Sequence, residues 1–389
     1  MRVVVFGGGY AGIVAVKRLE RRLPDTATVM LVDQRPYHLV RHELHRVIRQ
    51  PDVSDALRIP FEEILGRAEF RQQTVSDIDP DGGTAIFENG DSLEFDAGIV
   101  AFGAEPAYYG LDGVEAYGTP LDSIGTARKI SKSMTSLLEQ GEGTAVVAGA
   151  GLAGVQAAGE LAELRADAGA TDVSIVLLEQ ADSVVPTADD RFTETIAEQL
   201  QDKGVDLRTE NTVAGATAET IELESGGSLP YSVFVWTGGI SGAGPIRGDR
   251  PTVRADLRLG DRMFGAGDAV RVIDGNGELV TASAQSAVGM APVAVDNAIL
   301  RAEKGDGAGF RPRYHNYHDS SSARTVTVGN GAVAKIGPGI LTGPAARTLK
   351  SVIGSRYLST AGAIEAGVSL VRMEFGLAHP RAGEALEEH

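Results

Sequence analysis

The chain has 389 residues, a formal net charge of −17, and a residue content that is 43% hydrophobic. That length supports a large core spread over two or three domains, and the acidity excludes the clustered cationic surface a nucleic-acid partner needs. Cys is absent, which excludes chemistry through a redox-active thiol pair, Cys-ligated zinc and Cys-ligated iron–sulfur clusters.

Met1 and Arg2 lead directly into an apolar run ending at Phe6, so no signal peptide is expected ahead of the fold and a cytoplasmic location is. No apolar stretch approaches bilayer-spanning length, which leaves peripheral contact as the form any membrane association takes. Gly7-Gly8-Gly9-Tyr10-Ala11-Gly12 comes next, then a predicted helix, then the strand-like Thr28-Val29-Met30-Leu31-Val32 ending in Asp33. Strand, glycines, helix, strand and acid in this order form the dinucleotide-binding pattern. The first glycine makes a tight turn, the second lets backbone approach a pyrophosphate, and the third lets helix pack on strand. The helix N-terminus faces the anion with free N–H groups and a positive dipole end, and the acid is placed to accept from a ribose.

Irregular chain through Pro51 and Pro60 and a short β region lead to residues 94–104, an apolar strand running into Gly103. After Pro120 a helical stretch precedes a second copy of the pattern: apolar residues 145–148, Gly149-Ala150-Gly151-Leu152-Ala153-Gly154, and a strand from Val173 to Leu178 ending in Glu179. This half closes at residues 231–239, again an apolar strand meeting glycines, so the halves are expected to be similar folds passing electrons between two bound dinucleotides. Residues 261–269 contain Gly265-Ala266-Gly267-Asp268, and a helical pattern follows from Thr281 to about Leu300, with Pro292 expected to kink or start it. Residues 239–248 and 305–309 read as linkers. Thr342-Gly343-Pro344 starts a predicted helix with Ala345, Leu349, Val352, Ile353 and Tyr357 on one face and Arg347 and Lys350 away from it; a second stripe holds Ile364, Val368, Val371 and Phe375. Basic residues exceed acids over 347–372, which suits an interfacial helix pair on anionic lipid, and packing on the protein's own body or on a second subunit suits the same stripes.

With Gly265 to Asp268 joined to both glycine motifs, and with the helical Val155-Gln156-Ala157-Ala158-Gly159-Glu160-Leu161 and Thr281-Ala282-Ser283-Ala284-Gln285-Ser286-Ala287, the chain resembles the two-dinucleotide flavoproteins. Within them it is similar to the type II NADH dehydrogenases, over nearly its whole length. The resemblance implies an α/β protein with two Rossmann-like domains: an FAD domain in two segments, 1–112 and 246–325, an inserted NADH domain at 113–245, and a region at 326–389 that docks on a membrane or dimerises. It makes Gly7, Gly9, Gly12 and Asp33 contacts to the ADP half of FAD and puts Asp268 near the ribityl and phosphate groups. Gly149, Gly151, Gly154 and Glu179 would bind NADH. Ser283, Ala284 and Gln285, opening a helix, would lie beside the flavin ring, where a helix N-terminus stabilises negative charge. Tyr10, Ala11, Gln34, Arg41, Val75, Ala101, Gly103, Gly238 and Gly267 complete the expected cofactor contacts, Arg41 either pairing with a phosphate or facing solvent. Glu160 and Gln285 are the expected catalytic residues, Glu160 as a carboxylate relaying protons to a quinone or, alternatively, as a surface residue of a good helix. The implied activity is FAD-dependent NADH oxidation with electrons passed to a membrane quinone and no proton pumping. A soluble reductase of a small electron-carrier protein and an NADH-responsive redox sensor are the alternatives, and a homodimer fits each.

The chain departs from the family at Val40-Arg41-His42-Glu43-Leu44-His45, where a Pro-Leu-Leu-Tyr-like run is usual, at Gln156 in place of a Glu, and at Gly289 in place of a second Gln. These changes fall around the implied quinone site. His38, His42 and His45 with Glu43 suggest a metal or a proton relay, but the spacing matches no zinc motif, so polar contacts near the flavin and no metal are expected. Trp236 suits either a nicotinamide contact or the core.

Overall fold

The computed structural model describes residues 1–246, 248–304, 312–319, 323–360, 362–375 and 377. The linker expected at 305–309 lies outside them. Two five-stranded parallel sheets carry the fold. The first runs in the order Met263–Gly265, Ala97–Val100, Arg2–Phe6, Thr28–Asp33, Glu69–Gln72. The second repeats it as Thr119–Pro120, Val233–Trp236, Gly143–Ala148, Val173–Leu178, Val205–Arg208. Val3, Val4, Val5 and Phe6 are all buried, as are Ala145 to Ala148; strands covered on both faces read as unbroken apolar runs, which is how they looked in the sequence. Each sheet carries a three-stranded antiparallel attachment, Val75–Asp79 with Thr84–Phe87 and Ser92–Glu94 in one case, Val213–Ala216 with Thr220–Leu223 and Ser228–Pro230 in the other. The duplication suggested by the glycines therefore extends strand by strand.

Met263–Gly265 follows the whole second half yet pairs with Ala97–Val100. Its return delivers Gly267 and Asp268 to the edge where Phe6 and Val100 end, the place at which open parallel sheets bind ligands. Behind it, the helix Ala284–Lys304 packs on the first glycine-turn helix, Tyr10–Arg22. The start differs from the expected Thr281 because Ser283 caps the helix, its Oγ accepting from the Ser286 N–H at 3.0 Å. Pro292 lies inside this helix and neither starts nor ends it. Its missing N–H costs about 3 kcal/mol in a helix interior, and the fully buried small residues Ala291, Ala294 and Ala298 beside it offset that through close packing.

Residues 239–248 are not the expected linker: they hold the strand Ile240–Gly242, antiparallel to Ala104–Pro106. Their glycines serve close approach, since a Cβ on Gly242 would stand 1.9 Å from the Ile246 carbonyl oxygen. The C-terminal sheet, Ala323–Val328, Gly331–Ile336 and Gly339–Thr342, packs on the second glycine-turn helix, Leu152–Asp167. Two helices follow, Gly343–Thr360 and Ile364–Glu374. Ala346, Lys350, Ser351, Gly354, Leu358, Gly367 and Leu370 face inward, whereas Val352, Ile364, Val368 and Phe375 are exposed. Of the two apolar stripes, Leu349 and Tyr357 pack half-buried on the body while Val352, Ile364, Val368 and Phe375 turn outward, and Lys350, on the opposite face, is drawn in by Glu43 at 2.8 Å.

Candidate functional site

The two glycine turns have matching geometry. Gly7 sits at φ +103°, and a Cβ there would stand 2.4 Å from the Ala101 carbonyl oxygen; one on Gly12 would stand 1.8 Å from the Gly7 carbonyl oxygen. In the second copy Gly149 sits at φ +99°, with the Thr237 carbonyl oxygen 2.5 Å from its would-be Cβ, and Gly154 repeats the 1.8 Å approach to Gly149. The middle glycines differ. The nearest atom to a Cβ on Gly9 is 3.9 Å away, and nothing lies within 4 Å of one on Gly151. Outer glycines are therefore imposed by packing, while the middle ones border open space. Each middle glycine caps a helix without a side-chain hydrogen bond, so first-turn N–H groups are left for an anion. A cradle that fits a pyrophosphate occurs twice.

Asp33 and Glu179 brace these cradles in the same way. The Gly8 N–H donates to Asp33 Oδ2 at 2.6 Å and the Arg35 N–H to Oδ1 at 2.8 Å. At the equivalent positions, the Ala150 N–H donates to Glu179 Oε2 at 2.7 Å and the Ala181 N–H to Oε1 at 2.9 Å. A carboxylate has about four acceptor sites, so each keeps capacity for ribose hydroxyls. The sequence pattern points only to the ribose role; the brace on the turn depends on the second strand ending level with the glycines, which the fold alone shows.

Gly267 completes the first cradle. At φ +69°, its would-be Cβ lies 3.2 Å from that of Ala11 and 3.3 Å from that of Ala287, so three elements converge there. Next to it the Asp268 carboxyl has no hydrogen-bond partner among the described residues; burial pushes it up, and Arg41 and Arg250 pull it back down. Arg41 is not solvent-directed: its Nη1 donates to the Ala104 carbonyl at 2.8 Å and stands 4.0 Å from a would-be Cβ on Gly103. Arg250 donates to the Asp268 carbonyl at 3.2 Å. The sequence offered no signal for Arg250, a single Arg just past a glycine-rich stretch. Ser283 is committed to its capping bond, and Ala284 and Gln285 open the helix half-buried.

The remaining expected residues spread out. Gln34 is exposed, and Val75 is buried in the core with Phe6 and Val100. A Cβ on Gly238 would meet the Trp236 ring at 2.4 Å. Trp236 itself is core, its indole N–H donating to the Ala107 carbonyl at 2.8 Å. Glu160 is buried rather than on the surface. Burial pushes its carboxyl up against the pull of Arg49, whose Nε donates to it at 2.7 Å, and His45 Nε2 lies 4.0 Å away. His45 also meets Thr327 at 2.9 Å, and Gln156 donates to the same hydroxyl at 3.1 Å. Segment 41–49, the second glycine-turn helix and the C-terminal sheet thus share one buried polar cluster. Glu43 anchors its far end: burial pushes the carboxyl up, but Lys350 and His42 outweigh that and hold it well below the carboxylate range. Among the described residues no group of three metal-ligating side chains has the arrangement to hold an ion.

The family model for pyridine nucleotide-disulphide oxidoreductases matches residues 1–289. The chain belongs to that family. As a pyridine nucleotide-disulphide oxidoreductase it lacks the thiols of the family's name, having no Cys. The NADH dehydrogenase-like protein YutJ of Bacillus subtilis is 23% identical over 240 residues, covering 61% of this chain and 65% of the relative. The chain thus spans less than two thirds of YutJ's length. Demethylphylloquinone reductase NdbB of Synechocystis is 26% identical over 311 residues, covering 74% and 76%. The solved structure of NDH2 from Plasmodium falciparum in complex with NADH superposes with a TM-score of 0.78 at 14% identity, covering 97% of this chain and 98% of that one. That likeness establishes the fold, two Rossmann-like halves in a mixed α/β protein.

Proposed function

We propose that the protein oxidises NADH with bound FAD and passes the electrons to a quinone without pumping protons. The observation that carries this reading is the paired cradle: two glycine turns with open middle glycines, each braced by a carboxylate, in one chain. The Asp268 carboxyl, half-buried beside Arg41 and Arg250 and without a hydrogen bond of its own among the described residues, is a third, independent element on the first cradle alone. That asymmetry favours FAD on the half made of 1–112 and 246–325, and NADH on 113–245. FAD, when bound, would accept a hydride and release electrons to the quinone. The chain's own part is to hold both dinucleotides by Gly9 and Gly151, fix the ribose ends by Asp33 and Glu179, and set Asp268, Ala284 and Gln285 along the flavin side chain and ring. The names of NdbB and of the NDH2 complex, a quinone reductase and an NADH-binding protein, support the acceptor and the donor.

The C-terminal helices supply the membrane contact in this reading. Among the described residues no helix is long and apolar enough to cross a bilayer, yet Val352, Ile364, Val368 and Phe375 of the C-terminal helices are exposed, Arg347 stands over the Phe375 ring, and Arg356 is exposed on the first of the two helices. Such a surface suits peripheral docking on anionic lipid at the cytoplasmic face. The deciding experiment is the absorbance spectrum of purified protein before and after anaerobic NADH, followed by a quinone in anionic liposomes. A flavin band that bleaches with NADH and returns with quinone is expected. A protein without flavin, or one that bleaches but reoxidises only with a small carrier protein, refutes the reading. Concentration-dependent dimerisation with no liposome binding reassigns the helices to a subunit interface.

A further inference from the structure

One turn of the chain carries a residue that does not suit its shape. The Leu111 N–H donates to the Tyr108 carbonyl at 3.0 Å, and between them Tyr109 and Gly110 both have positive φ, +55° and +69°, the signature of a type I′ turn. That turn favours Gly, Asn or Asp at its central positions, and a bulky side chain at positive φ is an outlier. Burial does not offset the strain. Tyr108 stacks on Trp236, ring centroids 6.5 Å apart, but Tyr109 is 67% exposed. The fold holds only the tip of its ring: the Tyr109 hydroxyl donates to the Gly238 carbonyl at 3.4 Å, and a Cβ on Gly239 would stand 1.9 Å from that hydroxyl. Glycine at 239 therefore leaves room for the phenol. Backbone strain without compensation in the core belongs where a ligand makes use of it.

The place of Gly238 says which ligand that is. Gly238 follows the strand Val233–Trp236, which pairs with one side of Gly143–Ala148, whereas Val173–Leu178, ending at Glu179, pairs with the other. A dinucleotide with its pyrophosphate at Gly151 and its adenosine ribose at Glu179 therefore runs its other end toward Gly238. Trp236 does not meet it there, being core. The first cradle is near as well: Arg250 donates to the Asp268 carbonyl at 3.2 Å and lies within electrostatic reach of the Tyr109 phenol. Tyr109 thus stands between the two cradles. We infer that Tyr109 is the platform for the nicotinamide end of NADH, its exposed ring packing on the nicotinamide while its hydroxyl stays on Gly238. The inference rests on the proposed NADH reading. Gly149, Ala150 and Gly151 can hold phosphate but offer no surface to a flat ring, and hydride transfer needs the donor ring fixed against the acceptor. A turn that locks Tyr109 in one backbone conformation supplies that surface in advance, at lower ordering cost on binding.

The test uses full-length, flavin-loaded protein and two ligands that do not react with it: a tetrahydro analogue of NADH, which keeps a nicotinamide-like ring but cannot give up hydride, and ADP-ribose, which lacks the ring. Titration calorimetry of the parent is expected to show tighter binding of the analogue. Tyr109→Asn, which suits the turn, is expected to cut that preference about three- to tenfold, the worth of a stacked aromatic pair. The Kd for ADP-ribose should stay within twofold of the parent, and the melting temperature should hold or rise. Tyr109→Phe keeps the ring and should keep the preference within twofold. A parent that binds both ligands alike, a Tyr109→Asn variant that loses both equally or melts lower than the parent, or a Tyr109→Phe variant that behaves like Tyr109→Asn overturns the platform. A parent that binds neither ligand overturns the functional reading and the platform with it; a parent that prefers the analogue while Tyr109→Asn leaves that preference unmoved overturns the platform alone.

Discussion

Gly151→Ala separates folding from cofactor binding at a single methyl group. The residue sits at φ −66°, ψ −179°, a conformation open to any L residue, and nothing lies within 4 Å of the added Cβ. Ala is a poorer N-cap than Gly by about 0.5 kcal/mol, and the loss of unfolded-state freedom returns about 0.4–1 kcal/mol, so the fold barely changes. The space the methyl fills is the space a pyrophosphate needs. Pushing the phosphate off the helix N-terminus forfeits at least one N–H bond to a charged group, about 1.5–3 kcal/mol, or roughly ten- to 150-fold in NADH affinity. Thermal melting, flavin content and the NADH KM measured together check this. The expected result is a melting temperature within about 2 °C of the parent, full flavin, and a KM raised at least tenfold. Gly154→Ala is the contrast, since its methyl would stand 1.8 Å from a carbonyl oxygen, and it should lower the melting temperature. A Gly151→Ala enzyme with a KM within twofold of the parent, or one that melts like Gly154→Ala, refutes the assignment of the second cradle.

Asp268→Ala should release flavin on dialysis, because it leaves Arg41 and Arg250 without their shared carboxylate; a full flavin-to-protein ratio would place the cofactor elsewhere. Glu179 disfavours a 2′-phosphate by charge, so catalytic efficiency should favour NADH over NADPH, and Glu179→Gln should narrow the gap; equal efficiencies in the parent would contradict this. Lys350→Met removes one of the positive partners of the buried Glu43 carboxylate, Arg46 and His42 remaining, and should cost less in urea unfolding than the about 3–5 kcal/mol of a fully stranded charge, most of it restored when Glu43→Gln is added; a single variant as stable as the parent would contradict the pairing. His38 is buried neutral, its imidazole lowered to about 4 chiefly by burial. A depressed histidine stabilises the fold above its unfolded value of about 6.5, and the contribution drains away as pH falls from there toward 4, about 3 kcal/mol in all. His38→Gln should flatten that stretch of the stability–pH curve, and an unchanged slope would show that other groups control it.

The parts of this fold that could be read in advance were those fixed by local rules. Val3 to Phe6 and residues 145–148 announce themselves because strands buried on both faces need unbroken apolar runs, and Gly7, Gly12, Gly149 and Gly154 because no side chain fits where they sit. What escaped depends on contacts between distant segments. Residues 239–248 looked like a linker because glycine marks flexibility and close approach alike, and only the partner strand Ala104–Pro106 distinguishes the two. Pro292 reads as a kink or a start because its cost is local, and of the two the structure excludes the start, the helix already running from Ala284 ahead of it. Lys350 and Arg250 carry no motif; Lys350 acquires its role from Glu43 far away in the chain, and Arg250 from Asp268 across a turn of the sheet edge.

The late arrival of Met263–Gly265 has a consequence for how the chain is made. Until that strand emerges, Ala97–Val100 has Arg2–Phe6 on one side and nothing on the other, so the nascent first half presents an apolar, unpaired edge of the kind that recruits other chains. The second half needs nothing later than Val233–Trp236 to close its five strands. Its sheet can therefore form on the ribosome while that of the first half waits, a reversal of the usual N-terminal-first order, and its glycine-turn helix is covered when the C-terminal sheet arrives. Fragments ending between residues 237 and 262 should accordingly hold a complete second sheet tethered to an aggregation-prone first half.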